Sequence, residues 1–450
     1  FNVLSGTTFF NSEAGIYGEL YERVVLNSNI FTTSKYGVRG FEIGSWVLNR
    51  NEFYTCAVGV SSAGTVTFSL QSTFLNLNEF VDCVFAVQTL GNRLVTSQNT
   101  ITGFGYSSPS YGIAAVQSRF NIYNDDIRDV TAGLVSMNSD HETNIAHENI
   151  FTDNFLGAWM IGDNDGTYIY CNQFYDQYVA IGLIDDSATP VAGQLDHQGI
   201  CSFGTGIDAP ADNLFINSTT VDIRSVINDN FNYVHRPIPA LTPSISNAAG
   251  GVVTPVPCWS ADEVVDCETW QEIPKEEIAE MTNERQADKL LIQKFWYDMT
   301  ETYDTLEAMS LLESVNTQTA KRMKIALAMQ QGEYSKADSI GNTLPQTGLD
   351  NQYFRQLLTL QIDMAQTNRH YNQLSVEEDA LLSQIAQSQT TSAMSAKVLR
   401  YLAYGEEILV QLPPLPDELS EGMPIQFKTG AGNSGLINIA PNPAATHLQI

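Results

Sequence analysis

Leu26-Asn-Ser-Asn-Ile-Phe31, Leu48-Asn-Arg-Asn-Glu-Phe53 and Leu75-Asn-Leu-Asn-Glu-Phe80 are three copies of one string, Leu-Asn-x-Asn-x-Phe. Taking the second Asn as an anchor gives Asn29, Asn51 and Asn78. Looser copies continue at Asn99, Asp125, Asn149 and Asn172, with Thr7 as an earlier one. Successive anchors lie 22, 22, 27, 21, 26, 24 and 23 residues apart. Eight residues after the anchor a small residue recurs: Gly15, Gly37, Gly59, Ala86, Gly133, Gly157 and Ala180. Only the coil of Asn99 breaks step, its Gly112 arriving five residues late behind the insert Tyr106-Ser-Ser-Pro-Ser110. Two features in register over eight copies mark an internal repeat, and a period in this range points to a stacked solenoid.

Each unit holds short Val-, Ile- and Phe-rich strands between Asn, Gly and Asp turns, with no room for a helix. One such coil cannot bury its apolar face alone, whereas stacked coils can. The pattern therefore predicts a mainly β solenoid in which Val25, Val47, Ile145 and Ile169 point inward onto their equivalents. The recurrent Asn is expected at a bend, in the left-handed backbone that Asn tolerates. The side chains of Asn29, Asn51, Asn78, Asn99, Asn149 and Asn172 are expected to form a ladder along the axis. The small residue at plus eight is expected at another tight corner. A propeller or sandwich would need longer units with hairpin signals. The repeat resembles the right-handed parallel β-helix of pectin-lyase-like proteins, over roughly residues 1–240.

Cys56 and Cys83 each follow their anchors by five residues, so they occupy equivalent places on adjacent coils, about 4.8 Å apart by strand spacing. That is within reach of a disulfide, though buried free thiols suit the same places. Cys171–Cys201 and Cys258–Cys267 complete three expected pairs, which suit an oxidising compartment. The formal charge is −29, from 51 acidic and 22 basic residues. So acidic a surface repels nucleic acid and anionic membrane, and favours solubility outside a cell. No apolar run approaches a membrane span. The chain starts at Phe1 with strand signals at once, without an initiator Met or signal peptide. Its true N-terminus is therefore expected further upstream.

Residues 241–260, rich in Pro, Ser, Ala and Gly, read as a linker or cap. From 261 to 405 the periodicity becomes helical, giving an α-helical hairpin domain behind the β-helix. Apolar residues from Leu290 to Leu312 open it. Ala320–Gln331 ends on Gly332, Glu333–Leu344 stops before Pro345, and Asn351–Thr367 follows. Ser375-Val-Glu-Glu378 is a capping box opening the next helix, and Thr391–Tyr404 closes on Gly405. The stretch Ala328 to Ala337 resembles the turn of a tetratricopeptide-like hairpin, over that one hairpin only. These helices carry most of the basic residues, so charge is expected to dock them on the acidic solenoid. Residues 406–436 read as a second linker. In 437–450, Pro441-Asn-Pro-Ala444 with Leu448 and Ile450 resembles the opening of a type IX secretion C-terminal sorting domain, although Ala440 stands where that family often has an aromatic. The resemblance implies export to the outside of the cell or the outer-membrane surface, the type IX machinery as a partner, and further strands beyond Ile450.

β-Helices of the pectin-lyase-like class commonly host polysaccharide lyases and hydrolases. A hydrolase needs two carboxylates facing a sugar. Of the polygalacturonase-like motifs only paired aspartates occur, at Asp125-Asp126 and Asp185-Asp186, with Asp196-His197-Gln198-Gly199 a poor substitute for Gly-His-Gly. The basic residues Arg93, Arg119, Arg128 and Arg224 form no evident lyase cluster. Asp163-Asn-Asp-Gly166 could hold calcium weakly, but Ile161 occupies the first position an EF-type loop requires. His141, His147, His197, His235, His370 and His447 are scattered, and no other cofactor motif is present. The sequence thus points to a non-enzymatic structural or adhesive protein that meets extracellular polysaccharide or other surface proteins. A carbohydrate-active enzyme is the alternative.

Overall fold

The computed structural model describes residues 2–19, 24–41, 45–64, 72–105, 109–139, 144–184, 195, 197–199, 201, 210–218, 220–225, 230–247, 252–258, 305–388, 390–406, 408 and 412. The chain is mainly β: a parallel solenoid followed by helices. One coil consists of the strands Val24–Asn27, Ile30–Thr32 and Tyr36–Phe41, each belonging to a different sheet. The three sheets contain eight, nine and ten strands, paired in parallel with their equivalents one coil away. The solenoid runs past residue 240. Ile245–Asn247 is an end strand of the third sheet, and Val252–Pro257 pairs in parallel with Asn230–His235.

Left-handed backbone turns each corner, and the residue carrying it is not the anchor Asn but its predecessor. Ser28, Arg50, Leu77, Gln98, Asn124 and Glu148 have φ of 53–55°. Their side chains face outward, so the corner accepts unrelated residue types, while the anchor extends its amide inward. The second corner repeats the device with Thr33, Thr55, Asp82, Asp129, Asp153 and Asp176 at positive φ. There the following residue, Ser34, Cys56, Cys83, Asn154 or Gln177, is a buried polar one, except after Asp129, where it is the buried Val130. The third corner uses Gly91, Gln117 and Asn138, followed by Asn92, Ser118 and Ser139.

Between the corners lies a dry core. The Phe two residues past the anchor forms a stack: the rings of Phe9, Phe31, Phe53 and Phe80 are nearly parallel, with centroids 4.6–4.9 Å apart. The small residue at plus eight lies inside a third-sheet strand, not at a corner. A Cβ on Gly15, Gly37, Gly59, Gly133 or Gly157 would come within 2.5–2.8 Å of the next coil's Phe ring. Thickness, rather than backbone conformation, selects glycine there. In the first sheet, alternation puts Val24, Leu26, Trp46 and Leu48 inside and leaves Val25 and Val47 half-buried. Ile145 is buried in the register of Val25 and Val47, whereas Ile169 stacks in the inner column. The expected inward set was therefore one residue out of step at Val25, Val47 and Ile145, and a one-residue shift exchanges the two faces of a strand.

The six α-helices among the described residues are α1 Thr305–Ser314, α2 Gln318–Gln330, α3 Tyr334–Gly341, α4 Leu349–Gln366, α5 Val376–Ala386 and α6 Ser392–Tyr404. Gly332 and Gly405 are left-handed, and Ser375 with Glu378 forms the capping box of α5. Helix α6 lies along the outer edge of the third sheet. Met394 and Val398 cluster with Phe41, Ala63, Leu90 and Val116 from four successive coils. Tyr401 stacks on Phe41 at 3.8 Å, and its hydroxyl is 2.5 Å from that of Tyr17 on the coil before. Thirteen helical residues span about 20 Å, the height of about four coil steps. Gln117 Nε2 donates to the Thr390 carbonyl at 3.4 Å and the Arg39 guanidinium lies 5.9 Å from the Tyr401 ring centre. Among the described residues the contact is otherwise apolar and aromatic, and no ion pair crosses it. Area burial is the main attraction at this contact, and charge enters it through Arg39 over the Tyr401 ring.

Candidate functional site

The most ordered constellation of side chains is the spine at the first corner. Asn29, Asn51, Asn78, Asn99, Asn149 and Asn172 are all buried. Each Asn offers its main-chain N–H and its Nδ2 to the Oδ1 of the next coil: Asn51 reaches Asn78 at 2.9 and 3.0 Å, and Asn149 reaches Asn172 at 3.1 and 2.9 Å. The other Nδ2 hydrogen goes to a carbonyl of the coil before, as from Asn78 to Leu48 at 3.0 Å. Every polar atom is satisfied, so the column binds the stack and presents nothing to solvent. It extends beyond the sequence-derived set: Asn172 continues to Asn213, which donates to the Tyr233 hydroxyl at 2.9 Å. Asn213 lies 41 residues past Asn172, a spacing that hides it from any search at a period near 24.

Asp125 occupies the spine position of its own coil and is 1% exposed. Asp126 points the other way, at the surface, paired with Arg128. The adjacent aspartates therefore do not converge on a substrate. Asp185 and Asp186 lie outside the described residues, as does Asp196. His147 is sandwiched between Tyr123 and Tyr170 at 5.4 and 5.1 Å, and burial lowers its pKa to about 3. It is neutral at any physiological pH. Arg93 and Arg119 are in register on adjacent coils and buried; desolvation, and then the charge of Arg119, hold the Arg93 pKa well below its usual value. Arg224 lies on a third-sheet strand, far along the stack from them. In the loop 163–166, Asn164 spends its side chain locally, accepting from Ser136 Oγ at 2.7 Å and donating to the Ile161 carbonyl at 2.9 Å. Among the described residues no group of three His, Cys, Asp or Glu could hold a metal ion. His197 Nδ1 accepts from the Asn232 main chain, and His235 Nδ1 lies 2.6 Å from the Arg236 carbonyl. His370 caps a short turn, while His141 and His447 lie outside the described residues.

The cysteine pairing differs from expectation. Cys201 is bonded to Cys258, which rules out Cys171–Cys201 and Cys258–Cys267. Cys171 is itself in a disulfide, and Cys267 lies outside the described residues. Sequence proximity misled here, because a solenoid brings together residues a coil or more apart. Cys56 and Cys83 occupy stacked positions but are free and buried. Each fills the polar slot of the second corner. Cys56 Sγ is 3.8 Å from the Phe31 carbonyl, and Cys83 Sγ is 3.8 Å from that of Phe53. Gln177 Nε2 serves Phe151 in the same way at 2.9 Å. Each thiol thus lies against a carbonyl of the preceding coil, and the two are also hydrogen-bonded to each other without a disulfide. The motif Pro441, Asn442, Pro443 and Ala444 lies outside the described residues.

Two accessible features remain. On the outer face of the second sheet, Glu52 and Glu79 stand in register on adjacent coils. Tyr54 donates to Glu52 Oε2 at 2.9 Å, and burial, then Glu52, then Glu79 push its hydroxyl up to about 12. Among the helices, a cleft of about 640 Å³ opens between α3, α4 and α5, with Asp338, Gln352, Arg355 and Asp363 on its walls. Arg355 donates to Asn342 across it at 3.0 Å. No family model, curated protein or solved structure matches this chain.

Proposed function

We propose that this chain is a secreted or surface-attached, non-enzymatic structural and adhesive protein, with the solenoid as a stiff spacer that contacts extracellular polysaccharide or other surface proteins. The observation that carries this reading is the use of the spine. Of the groups that could do chemistry, Asp125, His147 and Arg93 are buried in the stack, and α6 braces the outside across several coils. Export through a type IX system rests on the resemblance of Pro441–Ala444 to a sorting motif, and the strongly acidic composition suits a life outside the cell. The binding test is retention of the purified protein on a panel of neutral and acidic polysaccharides, together with assays for new reducing ends and unsaturated uronates. Retention without product release is expected.

A second reading, a carbohydrate-active enzyme of the pectin-lyase-like class, draws on Glu52 and Glu79. Strand spacing sets their backbones about 4.8 Å apart, near the carboxylate separation of retaining glycosidases. Product release abolished by Glu52→Gln or Glu79→Gln would replace the first reading with this one. For the address, deleting everything after Gly435 from the native gene should strand the protein in the periplasm. Normal surface delivery would reduce Pro-Asn-Pro-Ala to a turn.

A further inference from the structure

Between Asn29 and Asn213 the spine holds one carboxyl among amides. Asn99 sends its N–H and Nδ2 to Asp125 Oδ1 at 2.7 and 2.9 Å, and Thr96 Oγ1 donates to Oδ2 at 2.5 Å. The Asp125 N–H donates to Asn149 Oδ1 at 3.0 Å. Its neighbours in the column also use Nδ2 to reach a carbonyl of the preceding coil, Leu75 for Asn99 and Ile122 for Asn149. A carboxylate has no hydrogen for that role. Thr96 in turn stands in register with Leu48, Leu75 and Ile122. The hydroxyl of an otherwise aliphatic column therefore faces the carboxyl of an otherwise amide column, and the two substitutions match.

We propose that the Asp125–Thr96 pair is a proton-operated loosening point in the spine, closed while the carboxyl holds its proton and eased when the proton leaves. In the protonated form Oδ1 accepts from Asn99 while Oδ2–H donates to Thr96 Oγ1, the nearest likeness of the amide it replaces. In the charged form the Thr96 hydroxyl donates to Oδ2 instead. The side chains facing it, Thr96 and Asn99 from the coil before and Asn149 from the coil after, are all neutral. The titratable residues nearby along these coils point elsewhere. Asp126 pairs with Arg128 at the surface, His147 sits between two tyrosines, Glu148 is at an outward corner, and Arg93 and Arg119 begin their strands at the far end. Burial raises the Asp125 pKa to about 7, against the opposing hydrogen bonds from Thr96 and Asn99. In the unfolded chain it returns to about 3.9. Because the folded value is the higher one, the stabilisation is complete below about pH 4 and is lost as pH rises to about 7. The folded-to-unfolded ratio should fall at least about tenfold between pH 5 and pH 9 from this group alone.

Amide exchange over residues 93–102 and 119–128, corrected for intrinsic rates, reads the opening directly in the full chain. Opening in the wild type should rise at least about tenfold from pH 5 to pH 9, and Asp125→Asn should remove that slope. Thr96→Val, which takes a donor from the charged form, should move the midpoint to higher pH. An equal slope in wild type and Asp125→Asn, or an unmoved midpoint in Thr96→Val, would overturn the proposal. If Asp125→Asn fails to fold, the infrared band of the protonated carboxyl in the wild type decides. It should vanish near neutrality, and a carboxyl already ionised at pH 5 refutes the switch.

Discussion

Gly37 has a flat aromatic ring where a side chain would go. A methyl there would lie 2.6 Å from the Phe53 ring and 2.6 Å from the Gly59 carbonyl oxygen, a backbone atom with no freedom to retreat. Gly37→Ala should therefore cost about 1–3 kcal/mol in urea unfolding, the usual range for overpacking. Phe53→Ala, which breaks two ring stacks, should cost about 3–5 kcal/mol. Together they should cost clearly less than their sum, because the smaller residue makes room for the methyl. The chain already uses such a compromise, with Ala86 at plus eight where the following coil carries Ile101 instead of Phe. Strict additivity would show that glycine is chosen for some other reason. These Gly, Phe and Asn positions are legible in the sequence because each must be one residue type in nearly every coil. The left-handed corners are not, because an outward side chain can be Ser, Arg, Leu or Gln. The second and third polar slots are equally opaque, since Ser, Cys, Asn and Gln all satisfy the same carbonyls.

Helix termini were legible for local reasons, whereas the docking of the helices was not. The αL glycines and the Ser375–Glu378 box act within a few residues of the chain. By contrast, Tyr401 meets Tyr17 across 384 residues, and nothing in the periodicity of α6 announces an aromatic partner. Positions 394, 398 and 401 share one helical face, and that face presses on the column Phe41, Ala63, Leu90 and Val116. The helix thereby splints coils whose own contacts reach only their immediate neighbours. Tyr401→Ala combined with Met394→Ala should loosen the coils nearest the helix. Amide exchange in Val24–Asn27 and Tyr36–Phe41 should accelerate several-fold, while Thr167–Tyr170 and Val179–Ile184 keep their protection. Equal acceleration at both places would mean that the helix contributes only to global stability.

At the scale of the whole molecule, a stack of nearest-neighbour contacts is as durable as its ends. At the C-terminal end the amide column stops on the Tyr233 hydroxyl, and the buried pair Arg236–Asp212 lies beside it. The Cys201–Cys258 disulfide ties residues 57 apart in sequence across the same region. Closing a loop of that length is worth about 4 kcal/mol in the chain-entropy picture. The interior of the stack holds its thiols free, at Cys56 and Cys83. Among the described residues the molecule is therefore cross-linked at Cys171 and at Cys201–Cys258, toward one end, and held by hydrogen bonds and apolar packing along the coils of Cys56 and Cys83. Two predictions follow from that asymmetry. Denatured without reductant, each chain should react with two equivalents of a thiol reagent, mapped to Cys56 and Cys83. Reduced under native conditions, it should lose protection first around Leu214–Ile216 and Asn230–His235, with the coils of Phe31 to Phe80 following only at higher denaturant. Simultaneous loss along the whole solenoid would mean that the stack unfolds as one unit and that the disulfide does not guard its end.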